Sequence, residues 1–219
     1  MVRVSDLREQ VSEAYDGLGL PAWPDPHSAS TELAYSRVTE PQRYAIVHAR
    51  ARTWVELLAA QPGVQVERLA AAPLDDGTSG RFDRGTRIFP PRPDALPLVL
   101  LEADVPVDGG SLAVLHVGVG QPGFSLKTVP DCGCDACDHG SSDLLDAIDG
   151  TIGTVIDGPL VVWRGTTWTA WWHPEGAASQ GRGGPDLRLL MESSRRIVAG
   201  DPVRVPQGAE VVVGHSWFG

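Results

Sequence analysis

Between Val64 and Val119 the chain reads as a succession of short β-rich runs with no helical period among them, and this grouping most constrains the fold. The runs are Val64 to Leu69, Thr86 to Phe89, Leu98 to Asp104 and Leu112 to Val119. Turn-forming stretches separate them, notably Asp75-Asp76-Gly77, Pro90-Pro91-Arg92-Pro93 and Asp108-Gly109-Gly110. Strands in succession without intervening helices pair most simply as an antiparallel meander. A doubly wound parallel sheet would need a helix after each strand.

Helical periodicity lies outside this block. Leu7, Val11 and Tyr15 recur on one face of a short segment behind Ser5, with Gly17 beyond it. A loop rich in Pro, Ser and His comes next, over residues 21–36. Thr39-Glu-Pro41-Gln42 supplies an N-cap, an early helical Pro and a capping-box Gln, and Tyr44, Val47, Ala51, Trp54, Val55 and Leu58 continue at helical spacing to Pro62-Gly63. A third helix is predicted on Leu144, Leu145, Ile148, Ile152, Val155 and Ile156, although Gly150 and Gly153 each weaken it by about 1 kcal/mol relative to Ala. A fourth opens at Gly184-Pro185-Asp186, carries Leu187, Leu190, Met191, Ser194 and Ile197 on one face, and closes at Gly200. Strands are expected over Leu160 to Arg164, Thr167 to His173 and Glu210 to Val213. The predicted class is α+β, a mostly antiparallel sheet covered by several helices in a single domain, 1–219, with 1–36 as a candidate helical appendage.

At 219 residues the chain can bury a substantial core without disulfides. The segment beginning Met-Val-Arg-Val-Ser-Asp has no apolar signal region, and no apolar run reaches the roughly 18 to 20 residues of a membrane helix, so a cytoplasmic protein without membrane partners is expected. A formal charge of -10 and a pI near 4.9 oppose approach to phosphate backbones, which argues against nucleic acid as a partner.

The most chemically specific feature is Asp131-Cys-Gly-Cys-Asp-Ala-Cys-Asp138-His139. Three cysteines within six residues cannot make a disulfide framework, and a reduced cluster points to metal or to thiol chemistry. A Cys-x-x-Cys knuckle presents two thiolates to one ion, and Gly133 gives the backbone room for a third to converge. Zinc is the predicted cofactor. The predicted ligands are Cys132, Cys134, Cys137 and His139, with Asp138, His173 and His215 as alternatives for the fourth position. A redox pair at Cys134 and Cys137 would have to tolerate Asp131, Asp135, Asp138 and Asp143, whose negative charge raises a thiol's pKa.

The stretch Cys132 to Asp138 resembles the Cys-Gly-Cys-Asp-Ala-Cys-Asp motif of an uncharacterised bacterial family known as a domain of unknown function. The order of elements beyond it is similar too: an amphipathic helix, a Trp-rich strand pair and an Arg-rich helix. The resemblance implies no activity.

Other motifs fail in context. Gly118-Val-Gly120-Gln-Pro-Gly123 matches the dinucleotide-binding pattern in letters, but Pro122 to Val129 reads as a turn and an extended run rather than a helix. Gly214-His215-Ser216-Trp217-Phe218 lacks the second glycine of a nucleophile elbow. Trp163, Trp168, Trp171 and Trp172 crowd one hairpin and read as core plus a covering element, and His116 as a satisfied core histidine rather than a ligand. Two functional readings remain. One is a non-catalytic domain, zinc-stabilised, that acts by binding a protein or small molecule. The other is a metal-dependent or thiol enzyme with one metal position open.

Overall fold

The computed structural model describes residues 2–26, 32–74 and 80–219 and shows an α+β architecture, its helices laid against antiparallel sheets. The turn read at Asp75-Asp76-Gly77 lies outside the described residues, as does part of the 21–36 loop.

The larger sheet has five strands in the order β1 (Gln65–Leu69), β4 (Arg84–Phe89), β5 (Leu98–Val107), β6 (Gly110–Val119) and β7 (Ser125–Val129). Every pairing is antiparallel, so the predicted meander is present, interrupted among the described residues by the two-residue strands β2 (Ala72–Pro73) and β3 (Arg81–Phe82). Alternation decides the faces. Ile88, Leu98, Leu100, Leu115 and Val117 point to one side, and α1 (Val4–Asp16), α2 (Ala45–Ala59) and α3 (Ser141–Asp157) bury them there with Leu7, Ile46, Trp54, Ile148 and Ile152. Val99, Leu101 and Phe82 cluster on the other side.

A second sheet, not separated from the first by the sequence pattern, has the order β10 (Gly176–Gly181), β9 (Trp168–His173), β8 (Leu160–Arg164) and β11 (Glu210–Gly214). One face, with Trp163, Ala170 and Trp172, is covered by α4 (Leu187–Val198) through Leu190 and Met191. Trp163 Nε1 donates to Ser194 Oγ at 2.9 Å, so the indole enters the core with its polar atom satisfied. Trp171 takes the opposite face and joins the main core. The Trp-rich hairpin is therefore core plus cover.

Local chemistry departs from expectation at Thr39. Its hydroxyl and amide both bind Asp135, and the chain enters α2 through a 3-10 turn, Pro41–Tyr44, preceded by Glu40 in the left-handed region at φ 52°. Gly153 also has a packing role: a Cβ there would lie 2.2 Å from Arg8 Nη2, so its absence lets α1 cross α3 closely. None of the described helices is long and apolar enough to cross a membrane.

Candidate metal centre

The cysteine loop runs from the end of β7 to the start of α3 and contains a single 3-10 turn, Asp135–Cys137. Two neighbours fix its course. Gly133 passes so close to Leu112 that a Cβ would meet Leu112 Cδ2 at 2.3 Å, and Gly140, at φ 91°, abuts the backbone of Pro24 and Asp25. Ser141 N then donates to Trp23 O at 3.0 Å, and Trp23 N donates to Ser141 Oγ at 3.1 Å. The first turn of α3 is thus docked onto the extended segment that holds Trp23.

Within this frame the three sulfurs converge. Cys132 Sγ and Cys134 Sγ are 3.2 Å apart, and all three sulfur atoms lie within 4.8 Å of one another. A tetrahedral zinc ion about 2.3 Å from each sulfur would space them at about 3.8 Å, inside that range. Small shifts would complete the nest. Cys134 is buried, whereas Cys132 and Cys137 are exposed, so an ion would have a floor and an open side.

Two of the thiols are displaced in opposite directions from their ordinary pKa. Burial would raise the Cys134 pKa, but hydrogen bonds from Cys132 and Cys137, and from the Cys137 and Ala136 amides, outweigh it and hold the thiol below its ordinary value. Cys137 is pushed up to about 12 by hydrogen bonding to Cys134 and Cys132. Cys134 is thereby a sulfur on which negative charge is well tolerated, with Cys132 Sγ donating to it.

Two of the four aspartates expected to crowd the thiols with negative charge, Asp135 and Asp138, are committed elsewhere. Asp135 accepts from Arg37 Nε at 2.7 Å and from Thr39 N at 2.6 Å. Asp138, whose side chain is fully buried, accepts from Trp23 Nε1 at 3.0 Å, from Arg43 Nη2 and from Gly140 N. Arg43 lies over the Trp23 ring at 4.8 Å from its centroid. Carboxylates that looked like a fourth ligand or a repulsive field are clasps between the loop and residues about a hundred positions upstream.

His139 is not drawn into the sulfur group. It is exposed, with Nδ1 at 3.8 Å from Asp25 Oδ2. His173 is buried beside Glu175, its Nδ1 accepting from Glu175 N, and burial lowers its pKa; His215 lies at the end of β11, where its backbone amide donates to Asp94 O. Among the described residues the group able to hold an ion consists of Cys132, Cys134 and Cys137. Three soft sulfur donors suit zinc or another thiophilic ion and leave one position for a ligand from solution.

Sequence reasoning missed a polar network on α2 and the sheet. Glu102 on β5 accepts from Arg52 and Arg84, with His48 Nδ1 at 3.8 Å, beside a cleft of about 400 Å³. His48 Nε2 lies 3.0 Å from Val114 O. Alternation along β5 could have placed Glu102 on the helix face, as an acidic residue in an otherwise apolar series. The dinucleotide-like glycines turn out to form the β6–β7 turn, with Gly120 at φ 73° and Gly123 at φ 92°, and no helix opens there. His116 is half-buried and paired with Thr128 Oγ1 at 3.1 Å.

The fold and the loop define an α+β protein with a clasped three-thiol site. A model described as a family of unknown function, DUF6226, matches residues 11–218, and the chain belongs to that family. The comparisons with curated proteins and with solved structures returned no match.

Proposed function

We propose that this is a non-catalytic cytoplasmic domain, one folding unit over residues 1–219, that binds a protein or small molecule and carries one zinc ion on Cys132, Cys134 and Cys137. The observation that carries the metal reading is the convergence of three sulfurs within 4.8 Å on a loop held from outside. Docking of Leu7, Val11 and Tyr15 into the main core supports a single unit. In the ligand set proposed from the sequence, His139 would have to leave Asp25 to become the fourth ligand, an easy motion for an exposed side chain.

Elemental analysis of protein purified without chelator tests the reading, with about one zinc per chain expected. Zinc far below that, with all three thiols titrating freely, would remove it. The open side of the sulfur group favours a second reading, a metal-dependent enzyme with water at the fourth position. Cobalt substitution separates the two: a spectrum that changes on adding azide means an exchangeable ligand, and one that does not means a closed site.

A further inference from the structure

A crevice of about 320 Å³ separates the inner face of the second sheet from the β6–β7 turn of the first. Its walls are apolar, with Leu96, Val119 and Phe124 on one side and Val162 and Val212 on the other. Val212 is 47% exposed although it sits on the face of β11 that looks inward, because nothing described fills the space before it. Volume and lining are those of a small-molecule site, in which an apolar body is held by area and oriented by a few polar groups.

Two guanidinium groups border the crevice. Arg87 reaches Glu67 through Nη1 at 3.3 Å, yet its Nε is buried and has no acceptor. Arg164 is half-buried and makes no ion pair among the described residues, even though Glu210 faces it across the β8–β11 ladder. Arg87 Nε is enclosed and out of a ligand's reach, whereas the Arg164 guanidinium, without an ion pair among the described residues and beside an apolar space, is a ready partner for an acceptor from outside. Arg87 is matched by Glu67, so Arg164, which faces Glu210 across the ladder, is the guanidinium in the lining left to take a single negative charge, and the carboxylate beside it disfavours a phosphate dianion.

We propose that the crevice binds a monocarboxylate with an apolar body, its carboxylate on Arg164 and its body between Phe124 and Val212. The crevice shares no residue with the cysteine loop. The proposal gives the binding role above a ligand class and rests on that role only for its biological use; the test reads the crevice alone and is indifferent to metal content.

The experiment titrates 4-phenylbutyrate, and separately its neutral amide, into the methyl-labelled full chain and tracks the methyl resonances of Leu96, Val119, Val162 and Val212. Saturable shifts at those methyls are expected, with the acid binding at least tenfold more tightly than the amide. Arg164→Gln should bring the acid down to the level of the amide and leave the amide unchanged. Val212→Trp, which fills the space from an exposed position, should abolish both. Absence of saturable shifts, equal affinity of acid and amide in the wild type, or an acid-to-amide ratio untouched by Arg164→Gln would each overturn the proposal.

Discussion

Arg50 on α2 and Asp149 on α3 form a buried two-point ion pair, Nε to Oδ1 at 2.9 Å and Nη2 to Oδ2 at 2.5 Å, at the place where three helices meet. The pair is fully employed. Arg50 also reaches Val11 O and Ser12 Oγ on α1, and Trp54 Nε1 donates to Asp149 Oδ1 at 2.7 Å. A buried ion pair contributes little over an apolar replacement, but removing one partner strands the other. Asp149→Ala should lower stability by about 3–5 kcal/mol in urea denaturation. Arg50→Met combined with Asp149→Leu should cost clearly less than the two single changes added together.

The Glu102 network predicts a specific acid sensitivity. Burial alone would raise the Glu102 pKa, but hydrogen bonds from Arg52 and Arg84, and the nearby His48, hold it below its ordinary 4.5. A depressed folded value means the stabilisation is complete above the ordinary carboxylate range and is lost as pH falls through the folded value. Asp104, bound to Arg84 at 3.0 Å, shares the network. Glu102→Gln should cost about 2 kcal/mol at neutral pH. Urea midpoints measured from pH 7 down to pH 3 should show wild type and variant converging.

The cysteine loop should be thermally less important than its chemistry suggests. Its three sulfurs are local to one loop, and its ties to the rest of the chain run through Asp135, Asp138 and Ser141. Cys134→Ser should abolish stoichiometric zinc yet move the melting temperature by only a few degrees, corresponding to about 1 kcal/mol in a chain of this size. Asp138→Ala should cost more, because Trp23 Nε1 and Arg43 lose a buried acceptor. Paired melting curves, with and without chelator, decide the order of the two variants.

Binding to DNA at physiological salt should be negligible. The net charge is -10, and Arg37, Arg43, Arg50, Arg52, Arg84, Arg87 and Arg92 are each engaged with a carboxylate. Anisotropy of a labelled duplex should stay flat into the high micromolar range.

Legibility in the sequence tracks the range of the interaction that decides each feature. Leu144, Ile148, Ile152 and Val155 marked α3 because a helix's buried face is periodic, and Asp108-Gly109 marked the β5–β6 hairpin because a tight turn needs a residue that tolerates positive φ, here Gly109 at 87°. Asp186 also announced its helix, and its carboxylate caps Arg188 N at 2.9 Å. β10 was missed: Gly176-Ala-Ala-Ser-Gln-Gly181 has no β-branched residue, and its pairing with β9 makes it a strand. Thr39 was misread as a cap because its partner, Asp135, is remote in sequence. The cysteines were visible as a cluster. The commitment of Asp135 and Asp138 was not, since nothing within the motif tells a ligand from a clasp.

Those clasps have a consequence for moving the motif elsewhere. Residues 131–139 transplanted into another host would bring three sulfurs but not the spacing that makes them a nest, because Trp23, Arg37, Thr39, Arg43 and the notch at Leu112 would stay behind. The site is written in five distant places and only spelled in one. Its portable unit is the whole domain.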